Sequence, residues 1–220
     1  TITTLGHSRI QFGPLNDRVY LMELDSRDLP GVVAKLVQLA RGSGLTKICA
    51  KVPLSAGADF VSRGFVQEAL APGLFQGRVD GLFLARFMEE WRSDPDPQWP
   101  RPGTTQDEGS HQAQSSLSSS RFEVREMGQD RVQAMAEVFR HQFSAYPFPV
   151  SDPDYLQACL QTHVRFFGIE VQGRIAALAS SETNTRERYV EMTDFITLPA
   201  FRGQGLATAL LQTMEQDMAA

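Results

Sequence analysis

Arg202-Gly203-Gln204-Gly205-Leu206-Ala207-Thr208 is a segment built to hold an anion. Gly203 and Gly205 let a phosphate come close to the backbone, because neither carries a Cβ. A helical pattern starts at once, with Leu206, Leu210, Leu211 and Met214 on one face. A helix N-terminus offers unpaired N–H groups and the positive end of its dipole. Just upstream, Val190 to Leu198 is an apolar, β-branched run that reads as a strand, and Pro199 stops it because proline has no N–H to donate. That strand carries two carboxylates, Glu191 and Asp194, as candidate proton acceptors. Alternation along a strand places residues three apart on opposite sides, so only one of the two is expected to face a substrate unless a bulge intervenes.

Two nucleotide-binding readings of the loop fail. A dinucleotide fingerprint needs a third glycine where Thr208 stands, and a P-loop needs a G-K-[ST] that is absent.

The chain has 220 residues, enough for one or two domains, and 42% are hydrophobic, enough for a core. A net charge of -5 argues against a nucleic-acid partner, since duplex binding rests on clustered Lys and Arg. Cys49 and Cys159 are far apart and read as buried thiols; the four histidines lack ligand spacing, so no metal is expected. With no signal peptide and no apolar run of 18 residues, a soluble, cytoplasmic protein with no membrane partner is expected.

The elements that must position the loop divide the chain in three. Residues 1–92 read as an α/β unit. It has a strand from Arg18 to Leu24, then a helix opened by Asp28 and Pro30 that carries Val32, Val33, Leu36, Val37, Leu39 and Ala40. A strand follows from Leu45 to Val52, a short helix from Ala56 to Arg63, and extended segments at Val66–Leu70 and Val79–Phe87. Residues 93–120, rich in Pro and Ser, read as a mobile linker. Residues 121–220 begin with a short strand at Phe122–Arg125. A helix capped by Asp130 with Gln133 comes next, and then the proline-stiffened Tyr146-Pro147-Phe148-Pro149-Val150. Asp152-Pro153 opens a second helix; strands Val164–Val171 and Arg174–Ser181 join through Gln172-Gly173, and Glu187 to Leu198 leads into the loop.

The run Thr193 to Ala207 resembles the acetyl-CoA-binding motif of GNAT-family N-acetyltransferases. The resemblance implies an α/β (α+β) fold, with a mixed sheet flanked by helices. It implies acetyl-CoA as co-substrate, its pyrophosphate held on Arg202, Gly203, Gln204, Gly205, Leu206, Ala207 and Thr208. It also implies a thioester carbonyl bonded by the backbone of Ile196 or Leu198, and Glu191 as the family-like base. Residues 121–220 (β-α-α-β-β-β-loop-α) correspond to the first half of that fold, as the GNAT acetyltransferase domain. Residues 1–92, with Phe60 and Gly64-Phe65, resemble its second half without a phosphate loop. The C-terminal part of the domain is then expected to be missing, the chain being a fragment or, alternatively, a permuted domain.

Asn16 to Met22, Ala50 to Pro53, Tyr146 to Val150 with Asp152 to Leu156, and Glu191 to Phe195 narrow the resemblance to β-lysine N-acetyltransferases. That implies acetylation of the Nε amine of β-lysine, a small-molecule partner, with a homodimer left open. Tyr146 and Phe148 would then wall the aliphatic chain and meet an ammonium by cation–π contact, and Ser180, Glu182 and Asn184 would receive a polar head group. Two alternatives stand beside this reading: a GNAT enzyme acting on another small amine or protein amine, and a non-catalytic acetyl-CoA-binding module.

Overall fold

Val19, Leu21, Ile48, Ala50 and Val52 alternate along two strands and are at most 2% exposed, because their pleats face a helix across the sheet. They belong to the first of two compact units, Thr1–Gly109 and Ser110–Ala220. The computed structural model describes residues 1–94, 122–143 and 146–219; the expected linker lies almost wholly outside these.

The first unit contains β1 (Ile2–Leu5), β2 (Ser8–Gly13), β3 (Arg18–Glu23), α1 (Gly31–Gly42), β4 (Lys47–Pro53), α2 (Gly57–Val61), β5 (Val66–Phe75) and β6 (Val79–Phe87). They form a six-stranded sheet in the order β1-β2-β3-β4-β6-β5. Only β3 and β4 pair in parallel, and α1 supplies the crossover that a parallel pair requires. It buries Val32, Val33, Leu36 and Ala40. Phe65, straight after Gly64, packs its ring edge-on to Phe60 with centroids 5.2 Å apart.

The chain before Arg18 carries two strands that composition did not announce. β1 is short, at the sheet edge, and Ile2 is exposed, so its pattern lacks the apolar contrast that marks a half-buried strand. Asp28 does not cap α1, whose N-cap is Pro30 with no side-chain bond. The Asp28 carboxylate instead accepts from the His7 N–H at 2.8 Å, the Ser8 N–H at 2.7 Å and the Ser8 hydroxyl at 2.6 Å. A Cβ on Gly6, at φ 72°, would stand 2.3 Å from that carboxylate, so the β1–β2 turn needs glycine there.

The second unit contains β7 (Val124–Glu126), α3 (Val132–Gln142), α4 (Pro153–Cys159), β8 (Val164–Val171), β9 (Arg174–Asn184), β10 (Tyr189–Thr197) and α5 (Leu206–Met218). Its sheet is antiparallel in the order β10-β9-β8-β7. One face buries Phe166 and Leu178 with Met135, Phe139 and Leu156 of α3 and α4. The other buries Phe167, Ala177 and Ala179 with Leu206, Leu210 and Met214 of α5. β9 is therefore covered on both sides, which explains its run of six fully buried residues, Ala176 to Ser181. Leu211 is 38% exposed and lies off the buried stripe of α5. Asp152 caps α4 through the Asp154 N–H at 3.0 Å, with Pro153 in the first turn. Asp130 caps nothing: a 3-10 turn from Gln129 to Arg131 precedes α3, whose N-cap is Arg131. Gln172 and Gly173, at φ 52° and 76°, make the two-residue turn with both positions left-handed.

The Ser8 hydroxyl, and after it His7, hold the Asp28 carboxyl down at about 2 against an ordinary 3.8. A carboxyl depressed on folding contributes stability above its unfolded pKa and loses it as the pH falls through the folded one. Asp28→Asn is therefore expected to lower the thermal midpoint at pH 7 by several degrees, with the gap to wild type narrowing as the pH drops below about 4. A pH-independent gap in calorimetry would refute this account.

Candidate active site

After β10 the chain makes a 3-10 turn at Pro199–Phe201, and Arg202 leaves it in extended conformation. Gly203 and Gly205 both take left-handed φ, 74° and 83°, and Gly205 is the N-cap of α5. Among the described residues, chain neighbours aside, nothing lies within 4 Å of where a Cβ would stand on either glycine, so the space beside the loop is open. The Ala209 N–H reaches the Gly205 carbonyl at 2.9 Å. The N–H groups of Leu206, Ala207 and Thr208 therefore precede the first helical bond and point outward, as an anion site requires. Leu206 itself is 1% exposed and anchors the helix to the sheet. The Arg202 and Gln204 side chains brace the loop: Arg202 Nε donates to the Thr197 carbonyl at 3.1 Å and Gln204 Nε2 to the Ala200 carbonyl at 3.4 Å.

The strand ahead of the loop is broken by a β-bulge. Glu191 pairs with Glu182 and Thr193 with Ser180, but the next pair is Ile196 with Leu178. Asp194 and Phe195 thus stand opposite Ala179 alone, and Asp194 adopts φ 57°. The bulge overturns the alternation expected for the two carboxylates. Ser180 donates its hydroxyl to Asp194 Oδ2 at 2.6 Å, and the Tyr146 hydroxyl donates to Oδ1. Ser180 and Glu182 lie two apart on one face of β9, and Glu191 sits opposite Glu182. Glu191 and Asp194 therefore share the face covered by α3 and α4.

That face carries an aromatic row. Tyr146 stacks on Phe143 with centroids 4.7 Å apart, and Phe148 lies 6.2 Å from Tyr146 and 6.5 Å from Tyr155. Burial first, and then the charge of Asp194, pushes the Tyr146 phenol well above its ordinary pKa. Burial and then the neighbouring Cys159 do the same for Tyr155. Both phenols therefore stay protonated and remain donors at neutral pH. Burial also raises the Cys159 thiol, which stays neutral. Glu182 acts electrostatically on both tyrosines, so the acidic and aromatic groups form one surface. Tyr155, in the first turn of α4, joins this surface; in sequence it stands only within the segment 152–156 and is assigned no role there.

The main-chain donors differ from those expected. The Leu198 N–H donates to the Ala176 carbonyl of β9 at 2.9 Å, so it is not free for a thioester oxygen. Antiparallel alternation turns the Ile196 N–H toward β9 as well, two residues earlier opposite Leu178. Asp194 and Phe195, inside the bulge, have no ladder partner in that register. The bulge rather than the regular strand is where a main-chain N–H can turn to a ligand.

Residues 132–220 match the sequence profile described as the acetyltransferase (GNAT) family. These residues belong to the GNAT acetyltransferase family. The protein is thereby an acetyl-CoA-dependent N-acetyltransferase, and the open glycine loop at the start of α5 lies within the matched segment. Along 99% of its length the chain is 27% identical to a β-lysine N(6)-acetyltransferase of Methanococcus maripaludis, of which it spans 79%. It is 31% identical over 97 residues to a β-lysine N(6)-acetyltransferase of Methanosarcina mazei, covering 44% of this chain and 36% of that one. An acetyltransferase crystal structure from Trypanosoma brucei superposes on 44% of the chain and 73% of its own, at 21% identity and a TM-score of 0.36. No group of three or more His, Cys, Asp or Glu suited to a metal occurs among the described residues, and no described helix is long and apolar enough to cross a membrane.

A side chain on Gly205 would be strained by its left-handed φ and would fill the open space beside the helix N-terminus. Gly205→Val is expected to weaken acetyl-CoA binding about tenfold or more, by calorimetric titration, with the far-UV dichroism unchanged. Undiminished affinity would remove the loop from the coenzyme site.

Proposed function

We propose that this N-acetyltransferase moves the acetyl group of acetyl-CoA to the Nε amine of β-lysine (3,6-diaminohexanoate), giving Nε-acetyl-β-lysine. The observation that carries the reading is the bulge at Asp194. It gathers Glu182, Glu191 and Asp194 on the face that bears Tyr146, Phe148 and Tyr155. A carboxylate and aromatic surface suits a flexible chain with two ammonium groups: the carboxylates offset the charges, and ring faces attract cations. The likeness to a β-lysine N(6)-acetyltransferase along nearly the whole chain supports the same substrate.

The chemistry needs a proton acceptor. An alkyl ammonium has a pKa near 10.4, so about one molecule in a few thousand is nucleophilic at pH 7. Both oxygens of Asp194 already accept hydroxyl bonds, from Tyr146 and Ser180. We assign Asp194 to positioning; the resemblance of the strand to the GNAT motif supports Glu191 as the group that takes the amine proton, directly or through a water. Acetyl-CoA, when bound, supplies the thioester. Arg202 to Thr208 would hold its pyrophosphate, and the N–H groups of the bulge would serve as donors to the thioester oxygen. A cytoplasmic location is part of the same proposal, since the reaction draws on acetyl-CoA.

Coenzyme A release measured with β-lysine, lysine and spermidine in parallel tests the reading. β-Lysine is expected to give the highest kcat/KM, by about tenfold or more. Glu191→Gln is expected to lower kcat about 100-fold or more with little change in KM. Asp194→Asn and Tyr146→Phe should chiefly raise KM. Spermidine preferred over β-lysine would overturn the substrate, and an undiminished Glu191→Gln rate would overturn the base.

A further inference from the structure

A surface hollow of about 900 Å³, wide open to solvent, lies in the first unit between the end of α1, the Arg63-Gly64 turn after α2, and β6. Its lining among the described residues includes three arginines, Arg41, Arg63 and Arg86, and no carboxylate. Among the described residues none of the three takes part in an ion pair, in a chain whose net charge is -5. Arg63 donates one N–H to the Asp59 carbonyl at 3.2 Å, and Arg86 donates one to the Arg63 carbonyl. Each guanidinium carries five N–H donors, so most remain for a ligand. Those two bonds also fix where the forks sit. The guanidinium of Arg86 lies 3.8 Å from where a Cβ on Gly64 would stand.

Three like charges around one hollow make its potential positive and favour an anion there. A smaller hollow of about 310 Å³ shares Arg41 and Arg86 and is lined by Glu89, the one carboxylate in either among the described residues. Ala34 and Val37 supply an apolar wall on the α1 side. Arginine forks match phosphate oxygens two at a time, and a hollow of this size takes a ligand larger than a bare ion.

We propose that the first unit binds an organic phosphate of nucleotide size at Arg41, Arg63 and Arg86. This site is independent of the acetyl-CoA loop and does not rest on the choice of β-lysine as substrate. The phosphate sits among the three guanidinium groups, and the organic part lies along Ala34 and Val37.

The test is calorimetric titration of the full chain with ADP and, separately, with inorganic pyrophosphate, both with acetyl-CoA saturating so that the loop of the second unit is filled. ADP is expected to bind one site with a Kd below about 1 mM, and more tightly than pyrophosphate. Arg41 donates no side-chain hydrogen bond among the described residues and is exposed, so Arg41→Glu should leave the melting temperature unchanged. It should weaken ADP at least about tenfold. Arg86→Gln should do the same, and Gly205→Val should bind ADP as wild type does. Absence of ADP binding at several millimolar would overturn the proposal. So would equal affinity in wild type and Arg41→Glu, or release of acetyl-CoA by ADP in proportion to its binding.

Discussion

The site in the second unit depends on one main-chain irregularity, the bulge that turns Asp194 to left-handed φ. A non-glycine residue in that conformation costs about 1–3 kcal/mol and persists only where its surroundings hold it. Here they do so through the Tyr146 and Ser180 hydroxyls, one on each carboxylate oxygen. Ser180 ties the bulge to the neighbouring strand, and Tyr146 ties it to the chain between α3 and α4. Strand, helix connection and aromatic row are thereby fixed together, and the residues ahead of the glycine loop inherit their direction from the same point.

The two faces of the sheet around that bulge do different work. The α5 face is sealed with small and apolar side chains, Ala177, Ala179, Leu206, Leu210 and Met214, so the helix that starts at Gly205 is seated firmly under the loop. The opposite face begins as core around Leu178 and becomes polar toward Ser180, Glu182 and Glu191. An open loop of backbone donors and an acidic surface can thus coexist close in sequence. The loop projects backbone donors from the helix end, while the carboxylates project from the sheet.

The first unit reuses ordinary α/β construction. A parallel β3–β4 pair with α1 across it makes the core, and antiparallel strands extend it on both sides. Its charged groups divide by partner. Asp28 spends its oxygens on the β1–β2 turn, and Lys47 pairs with Glu68 at 2.7 Å. Arg41, Arg63 and Arg86 instead converge on a hollow. The difference lies in geometry, since composition weights all of these charges equally.

Much of this molecule follows from local sequence. Pro199, Gly203, Gly205 and the Leu206–Leu210–Met214 stripe specify a strand, an open loop and a seated helix, because each acts through backbone freedom or helical period within a few residues. Gln172-Gly173 and Asp152-Pro153 specify their turn and cap for the same reason. What depended on distant partners was not legible there. Asp28 and Asp130 both resemble helix caps, yet one is drawn to residues 20 positions earlier and the other lies free of any cap bond, since capping is decided by where the helix actually starts. The side to which Glu191 and Asp194 point was decided only when β10 met β9, because a bulge exists as a mismatch between two strands and has no signature in either alone. The convergence of three arginines from a helix, a turn and a strand is likewise a product of the folded sheet.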